Sequence, residues 1–223
     1  KKLKLFTPNR KCIYWLKTGP ESEPSTNEWI KSFSNDDVLV DIGANIGLYS
    51  LLAGIKGIKK IYAIEANPFS FSVLSRNIII NSLSDKIIPL CLPISEFSAI
   101  TNFSLSSTDA GTVGNEIAPM EPNLSTISVR TASFSLDELF QIQNINNVTH
   151  IKLDVDGIEK GILRGAKNLL NSPKLKSVLV EDIDGHKNRK NELDELMAHH
   201  GFVNSIIWGQ DGSCNKIFTK EST

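Results

Sequence analysis

The sequence predicts a doubly wound α/β fold: a mostly parallel, seven-stranded sheet closed by a C-terminal antiparallel hairpin. Three observations predict it. β-Branched apolar runs end in an acid close to a glycine turn, as in Val38–Asp41 before Gly43 and Ile151–Asp154 before Gly157. Amphipathic stretches of helical length separate such runs, so strands and helices alternate. Finally, 223 residues with 40% hydrophobic content are enough for one such core. Alternation of this kind implies right-handed crossovers and helices over both faces of the sheet.

The elements follow in order. Residues 1–35 are a lead-in expected to cover a sheet edge or roof a cleft, and residues 36–223 the main domain. In the lead-in, Lys11–Leu16 reads as a strand and 21–24 as a turn. Ser25 or Thr26 then caps a short helix running to Phe33. The strand at 38–42 precedes a helix at 46–56 that Gly57 closes. The strand at 60–65 precedes a helix at 69–81, with Pro68 at a first-turn position it tolerates. A third strand spans 87–92. Residues 99–105 and 126–131 are expected to pair antiparallel around an inserted loop, 106–125, rich in Ser, Gly, Asn and Pro. Ser135 opens a helix at 136–141. Strands at 150–155 and 176–181 alternate with helices at 158–170 and 191–200, and strands at 202–208 and 215–219 form the closing hairpin.

Composition narrows the partners. A formal net charge of −1 gives no global attraction to nucleic acid or to a membrane surface, and none is expected as partner. No apolar run reaches the roughly 18 residues of a membrane span. Cys12, Cys91 and Cys214 are scattered, odd in number and without metal spacing, which fits a reducing cytoplasm.

The chemistry gathers at the carboxyl ends of the strands, where open α/β sheets bind ligands. The segment Asp41-Ile42-Gly43-Ala44-Asn45-Ile46-Gly47 is a strand–turn–helix junction in which Gly43 and Gly47 allow a sharp turn. Asn45 stands where a dinucleotide fingerprint has its middle glycine. Asp41 suits a ligand bearing an ammonium group better than one bearing a pyrophosphate. S-adenosylmethionine meets that description; a nicotinamide dinucleotide, and with it an oxidoreductase, is disfavoured. Glu65, at the tip of the next strand, is placed to accept hydrogen bonds from ribose hydroxyls, and Asn67 follows it into a helix. Asp154 and Asp156 end the fourth core strand, and Glu159 opens its helix, where the helix dipole alone would favour an acid. With His186 in the loop after the fifth strand, these are the candidate bases for deprotonating a hydroxyl acceptor. The same carboxylates could instead hold a divalent cation, although no further ligand pattern accompanies them. His199 and His200, adjacent on a helix, point in different directions.

These residues resemble the FkbM family of methyltransferases, and the element order resembles the class I methyltransferase, Rossmann-like architecture. The resemblance rests on Asp41–Ser50, Ala63–Pro68, Asn77–Asn81, Ser135–Leu139, Lys152–Gly165 and Val180-Glu181, in family order across residues 23–203. It implies an S-adenosylmethionine-dependent O-methyltransferase acting on a sugar, glycan or related hydroxylated metabolite. Two departures stand out: Ala66 where the family usually has proline, and Asp156 where it usually has glutamate. Where the family commonly shows a polar residue near the adenine, Leu92-Pro93-Ile94 leaves Ser95 as the candidate. A domain of this kind that binds cofactor without turnover is the alternative from a different functional class.

Overall fold

The computed structural model describes residues 2–118, 127–182, 192–210 and 213–220. Helices α1 (Arg10–Ser22) and α2 (Pro24–Ser32) lead into β1 (Val38–Ile42), α3 (Leu48–Lys56), β2 (Lys60–Ile64), α4 (Pro68–Ile80) and β3 (Ile87–Leu90). Then come β4 (Ala99–Leu105), β5 (Glu116–Ala118), β6 (Ile127–Ser133) and α5 (Leu136–Ile142). The chain continues through β7 (His150–Leu153), α6 (Glu159–Arg164), α7 (Lys167–Leu170), β8 (Ser177–Glu181) and α8 (Glu192–His199), and closes with β9 (Phe202–Gln210) and β10 (Ser213–Lys220).

Seven strands form one sheet in the order β3-β2-β1-β7-β8-β10-β9. The first five pair in parallel, and β10 enters antiparallel between β8 and β9. The chain reverses beside β1, so the cleft outside the carboxyl ends of β1 and β7 lies at the topological switch point. Both sheet faces are covered. From β1, Val38, Val40 and Ile42 pack with α5–α8 through Leu139, Ile162, Leu170 and Met197. Leu39, on the opposite face, packs with Trp29, Leu51, Leu74 and Ile78 from α2–α4. Strand β1 is therefore buried throughout, as a central parallel strand should be.

The lead-in departs from the strand expected at Lys11–Leu16. It is α1, capped by the Asn9 side chain, which accepts from the Cys12 amide. Cys12 and Trp15, three residues apart, face the same way and pack under Ala110 and Gly111. The next helix begins one residue before the expected cap. Pro24 occupies its first turn, and the Thr26 hydroxyl donates to the Glu23 carboxylate at 2.8 Å. The helix expected over 158–170 is two, broken at Gly165, where a Cβ would lie 2.5 Å from the Glu96 carbonyl oxygen. The expected pairing of 99–105 with 126–131 is present as β4–β6. Within the inserted loop, β5 adds to β4 opposite Asn102–Ser104, making a separate three-stranded sheet.

Candidate active site

The turn after β1 is built from backbone geometry. Gly43 and Ala44 donate their amides to the Ile64 carbonyl, which pins the turn to the end of β2. Gly43 has φ +79°, and a Cβ there would meet the Asp154 carbonyl oxygen at 1.8 Å. Asn45 adopts φ +50°, a region asparagine tolerates better than most residues. Asp41 is buried beneath this turn and accepts from the Ser50 hydroxyl at 2.5 Å. Its burial raises its pKa, and its second oxygen has no hydrogen-bond partner among the described residues.

Glu65 is held from both sides. Its Oε2 accepts from the Asn45 amide and its Oε1 from the Asn67 amide, both at 2.7 Å. The amides favour the carboxylate, but burial outweighs them and raises the pKa from 4.5 to about 7. The Asn67 side chain caps α4 by accepting from the Phe69 and Ser70 amides.

A cavity of about 320 Å³ opens at this end of the sheet. Gly43, Asn45 and Glu65 line it on one side, with apolar Ile64, Leu92, Pro93 and Ile94 alongside; Asp154, Asp156, Lys152 and Glu181 line the other. Lys152 is buried in the middle of β7, donates to Asp154 Oδ2 at 2.7 Å and lies 5.0 Å from the centre of the Tyr49 ring. Burial opposes its charge, yet Asp154, Glu23 and Asp41 together hold its pKa above the ordinary lysine value. Asp154 moves the other way: burial works against ionisation, and the Lys152 ammonium overrides it and keeps the pKa low. Glu181, at the tip of the adjacent β8, hydrogen-bonds to Asp154; burial and the Asp154 charge push its pKa up to about 9. The two carboxyl groups thus divide their roles, Asp154 charged and Glu181 protonated at neutral pH.

Of the other expected site residues, Asp156 also lines the cavity and the remaining described ones lie outside its lining. Asp41 and Gly47 lie outside the cavity lining; Gly47 has φ +92°, and a Cβ there would press on Leu74. Glu159 is buried beneath the wall, its Oε1 accepting from the Val155 and Gly157 amides at 3.2 and 3.0 Å, so it positions the loop that carries Asp154 and Asp156. Asp156 takes the left-handed conformation, φ +61°, and accepts from the Gly114 amide at 2.8 Å, fastening the roof to this loop. Ser95 donates its hydroxyl to the Phe97 carbonyl and stays out of the cavity lining. His186 lies outside the described residues.

Sequence reading missed Lys152, Glu181 and Glu23 as site residues. A lysine inside a central, otherwise apolar strand was a usable signal, since a buried cation needs carboxylate partners. Glu23 carried none: it reaches the cavity from the α1–α2 junction and is held by Asn215 Nδ2 at 3.1 Å. Among the described residues no group of three or more His, Cys, Asp or Glu side chains is arranged to hold a metal ion. The positive charge amid these carboxylates is the Lys152 ammonium. No helix among the described residues is long and apolar enough to cross a membrane.

The hexuronic acid methyltransferase AglP of Haloferax volcanii is 30% identical over 157 residues, 68% of this chain and 58% of AglP; the match therefore spans about three fifths of that relative. Among solved structures, M. capricolum TrmK in complex with S-adenosyl-homocysteine superposes with a TM-score of 0.50 at 15% identity, covering 88% of this chain and 67% of that one. The precorrin-6y C5,15-methyltransferase of Geobacter metallireducens superposes with a TM-score of 0.53 at 12% identity, covering 91% and 88%. These likenesses establish the class I methyltransferase fold. Residues 41–203 match the family described as methyltransferase FkbM domain, and the chain belongs to that family.

Proposed function

We propose that the chain is an S-adenosylmethionine-dependent O-methyltransferase that methylates a hydroxyl of a sugar, glycan or related hydroxylated compound. The observation that carries the reading is Glu65, a buried carboxyl group fixed by two amides at the cavity it lines. Such a group takes both hydroxyls of a ribose. The remaining surroundings fit the same cofactor. Asn45 Oδ1 is a buried acceptor without a hydrogen-bond partner among the described residues, beside the cavity that Asn45 lines. Ile64, Leu92, Pro93 and Ile94 offer an apolar face to an adenine. Asp154, Glu23 and the more distant Asp41 favour a ligand carrying ammonium and sulfonium charges, and disfavour a pyrophosphate.

When bound, the cofactor supplies a methyl carbon activated by its sulfonium. The protein's part is alignment of the acceptor oxygen, worth about 7–11 kcal/mol when done well, and removal of the acceptor proton. Asp154 is the base: it is ionised at neutral pH, one-third exposed to the cavity, and fixed by Lys152. Glu181, protonated, hydrogen-bonds to Asp154 and limits its rotation. AglP's name supports a sugar-type acceptor, and the net charge of −1 does not favour a polyphosphate one. Scattered cysteines, with Cys12 and Cys91 free, support a reducing compartment such as the cytoplasm.

The test is calorimetric titration with S-adenosylhomocysteine and, separately, NAD, followed by methyl transfer to a hydroxyl library. Micromolar binding of S-adenosylhomocysteine with turnover of an alcohol is the expected result. NAD binding alone would overturn the reading, and cofactor binding without turnover of any acceptor would favour a binding domain.

A further inference from the structure

Charge is unevenly spread along this chain. Six of its 24 lysines and arginines fall within residues 1–20, where neither aspartate nor glutamate occurs. The rest of the chain is correspondingly acidic, and the net charge of −1 conceals the division. The basic stretch is at the surface: Lys2, Lys4, Arg10 and Lys17 are exposed. Lys11 pairs with Asp109 at 3.7 Å, at a solvent-exposed position where such a pair is weak. Apolar side chains stand among these cations. Phe6 precedes α1, and Ile13, Tyr14 and Leu16 lie on it, 39%, 58% and 44% exposed. Arg10, Tyr14 and Lys17 fall on one helix face at i, i+4 and i+7, and Ile13 and Leu16 flank it.

The same surface continues onto α4. Cys12 of α1 shares an apolar cluster with Val73 of α4, and the Phe6 amide donates to the Asn77 side chain at 2.6 Å. The Arg76 guanidinium lies 4.8 Å over the Phe6 ring. Phe69, Arg76 and Ile80, spaced seven and four residues apart, form the exposed shoulder of α4, a helix without a single acid.

We infer that this face of α1 and α4 docks on a membrane surface bearing anionic lipids. Cations interleaved with exposed apolar side chains are what an interfacial contact requires. The cations meet the headgroup phosphates, and the apolar side chains enter the boundary between headgroups and acyl chains. Lysine and arginine stems can lie along that boundary with their charges outward. Screening limits such attraction to about 8 Å at physiological salt, so a local cluster governs the approach and the net charge does not. Nucleic acid would satisfy the same cations, but its outer surface of phosphates gives no burial to Ile13, Leu16 or Ile80. The inference goes beyond the methyltransferase reading and does not depend on it.

The experiment is flotation of the full chain with vesicles of phosphatidylcholine alone, or of phosphatidylcholine with about 30% phosphatidylserine. Partitioning should be at least about tenfold stronger on the anionic vesicles at about 0.05 M salt, and weaken steeply at about 0.5 M. Lys4→Glu with Lys17→Glu should weaken it by at least about tenfold, and Ile13→Ser with Leu16→Ser by at least about fivefold. All four side chains are exposed, so both variants should melt near the parent temperature. Should either pair disturb folding, Lys17→Gln alone gives the same readout through a reduced salt dependence. Equal partitioning onto both vesicles, binding to neither, or binding that survives both variants would overturn the inference. A single-stranded oligonucleotide that strips the chain from vesicles, and binds the Ile13→Ser, Leu16→Ser variant as tightly as the parent, would overturn it in favour of a nucleic-acid face. Self-association abolished by that variant, without vesicle binding, would assign the face to a second copy of the chain instead.

Discussion

Burial and hydrogen bonding pull Glu65 in opposite directions, and that conflict makes it measurable. Its folded-state pKa is raised from 4.5 to about 7, so the free protein loses stability from this group as pH climbs through that interval. Ribose hydroxyls favour the carboxylate, so affinity for S-adenosylhomocysteine should strengthen with rising pH and level off above about 7. Glu65→Ala should weaken binding by about 1–3 kcal/mol, roughly 5- to 150-fold, and flatten that pH dependence; calorimetry at several pH values checks both. The two acids after β7 separate by a similar contrast. Asp154→Asn should leave the melting temperature near the parent value and lower kcat by about 10²- to 10⁴-fold. Glu159→Ala orphans the Val155 and Gly157 amides and should cost about 1–3 kcal/mol of stability. Glu159→Gln, whose amide oxygen can accept both amides, should restore it. Residue-scale legibility follows the same division. Glu65 and Asp154 were readable because strand tips at a switch point have only one place to go. Lys152 and Glu181 matter through each other, by way of Asp154, and a contact between two strands is not written in either one.

The elements that sequence reading misjudged are those whose conformation is decided by distant contacts. Cys12-Ile13-Tyr14-Trp15-Leu16 has strand-like composition, yet it is helical because Asn9 caps it and because its Cys12–Trp15 side docks on Ala110 and Gly111. Its other apolar residues, Ile13, Tyr14 and Leu16, are left exposed, which blurs the apolar stripe that would have announced a helix. The inserted segment likewise reads as loop because its order comes from β4 and from two fasteners: Ser70 Oγ accepts the Gly111 amide, and Asp156 accepts the Gly114 amide. Asp156 thus fastens the roof while also lining the cavity. Asp156→Ala should raise the acceptor KM with a smaller change in kcat, and speed hydrogen exchange at residues 110–115. An unchanged KM with a collapsed kcat would instead return Asp156 to the list of bases.

At the scale of the molecule, the cavity joins parts that the chain keeps far apart. Its walls take Gly43, Glu65 and Asp154 from the sheet, Trp15 and Glu23 from the helical lead-in, and Phe103, Glu116 and Ile117 from the small sheet above. The lead-in is tied down further by the Phe6 amide on Asn77 and the Lys4 amide on Asn81. The main sheet has a two-faced core that includes α2, whereas the roof and α1 are joined to it by a small apolar contact around Cys12 and by polar fasteners. A ligand that fills the cavity should consequently order the roof and lead-in most. S-adenosylhomocysteine at one hundred times its dissociation constant should add about 2.7 kcal/mol of stability, or about 5–11 °C in melting temperature for a chain of this size. Hydrogen exchange should slow most at α1 and residues 110–115, and least in β1 and β7, which are already fully buried. Protection confined to the β1 and β2 turns would mean that the cofactor leaves the roof loose. Closure would then fall to the acceptor, and the acceptor, not the nucleoside, would be the ligand that completes the site.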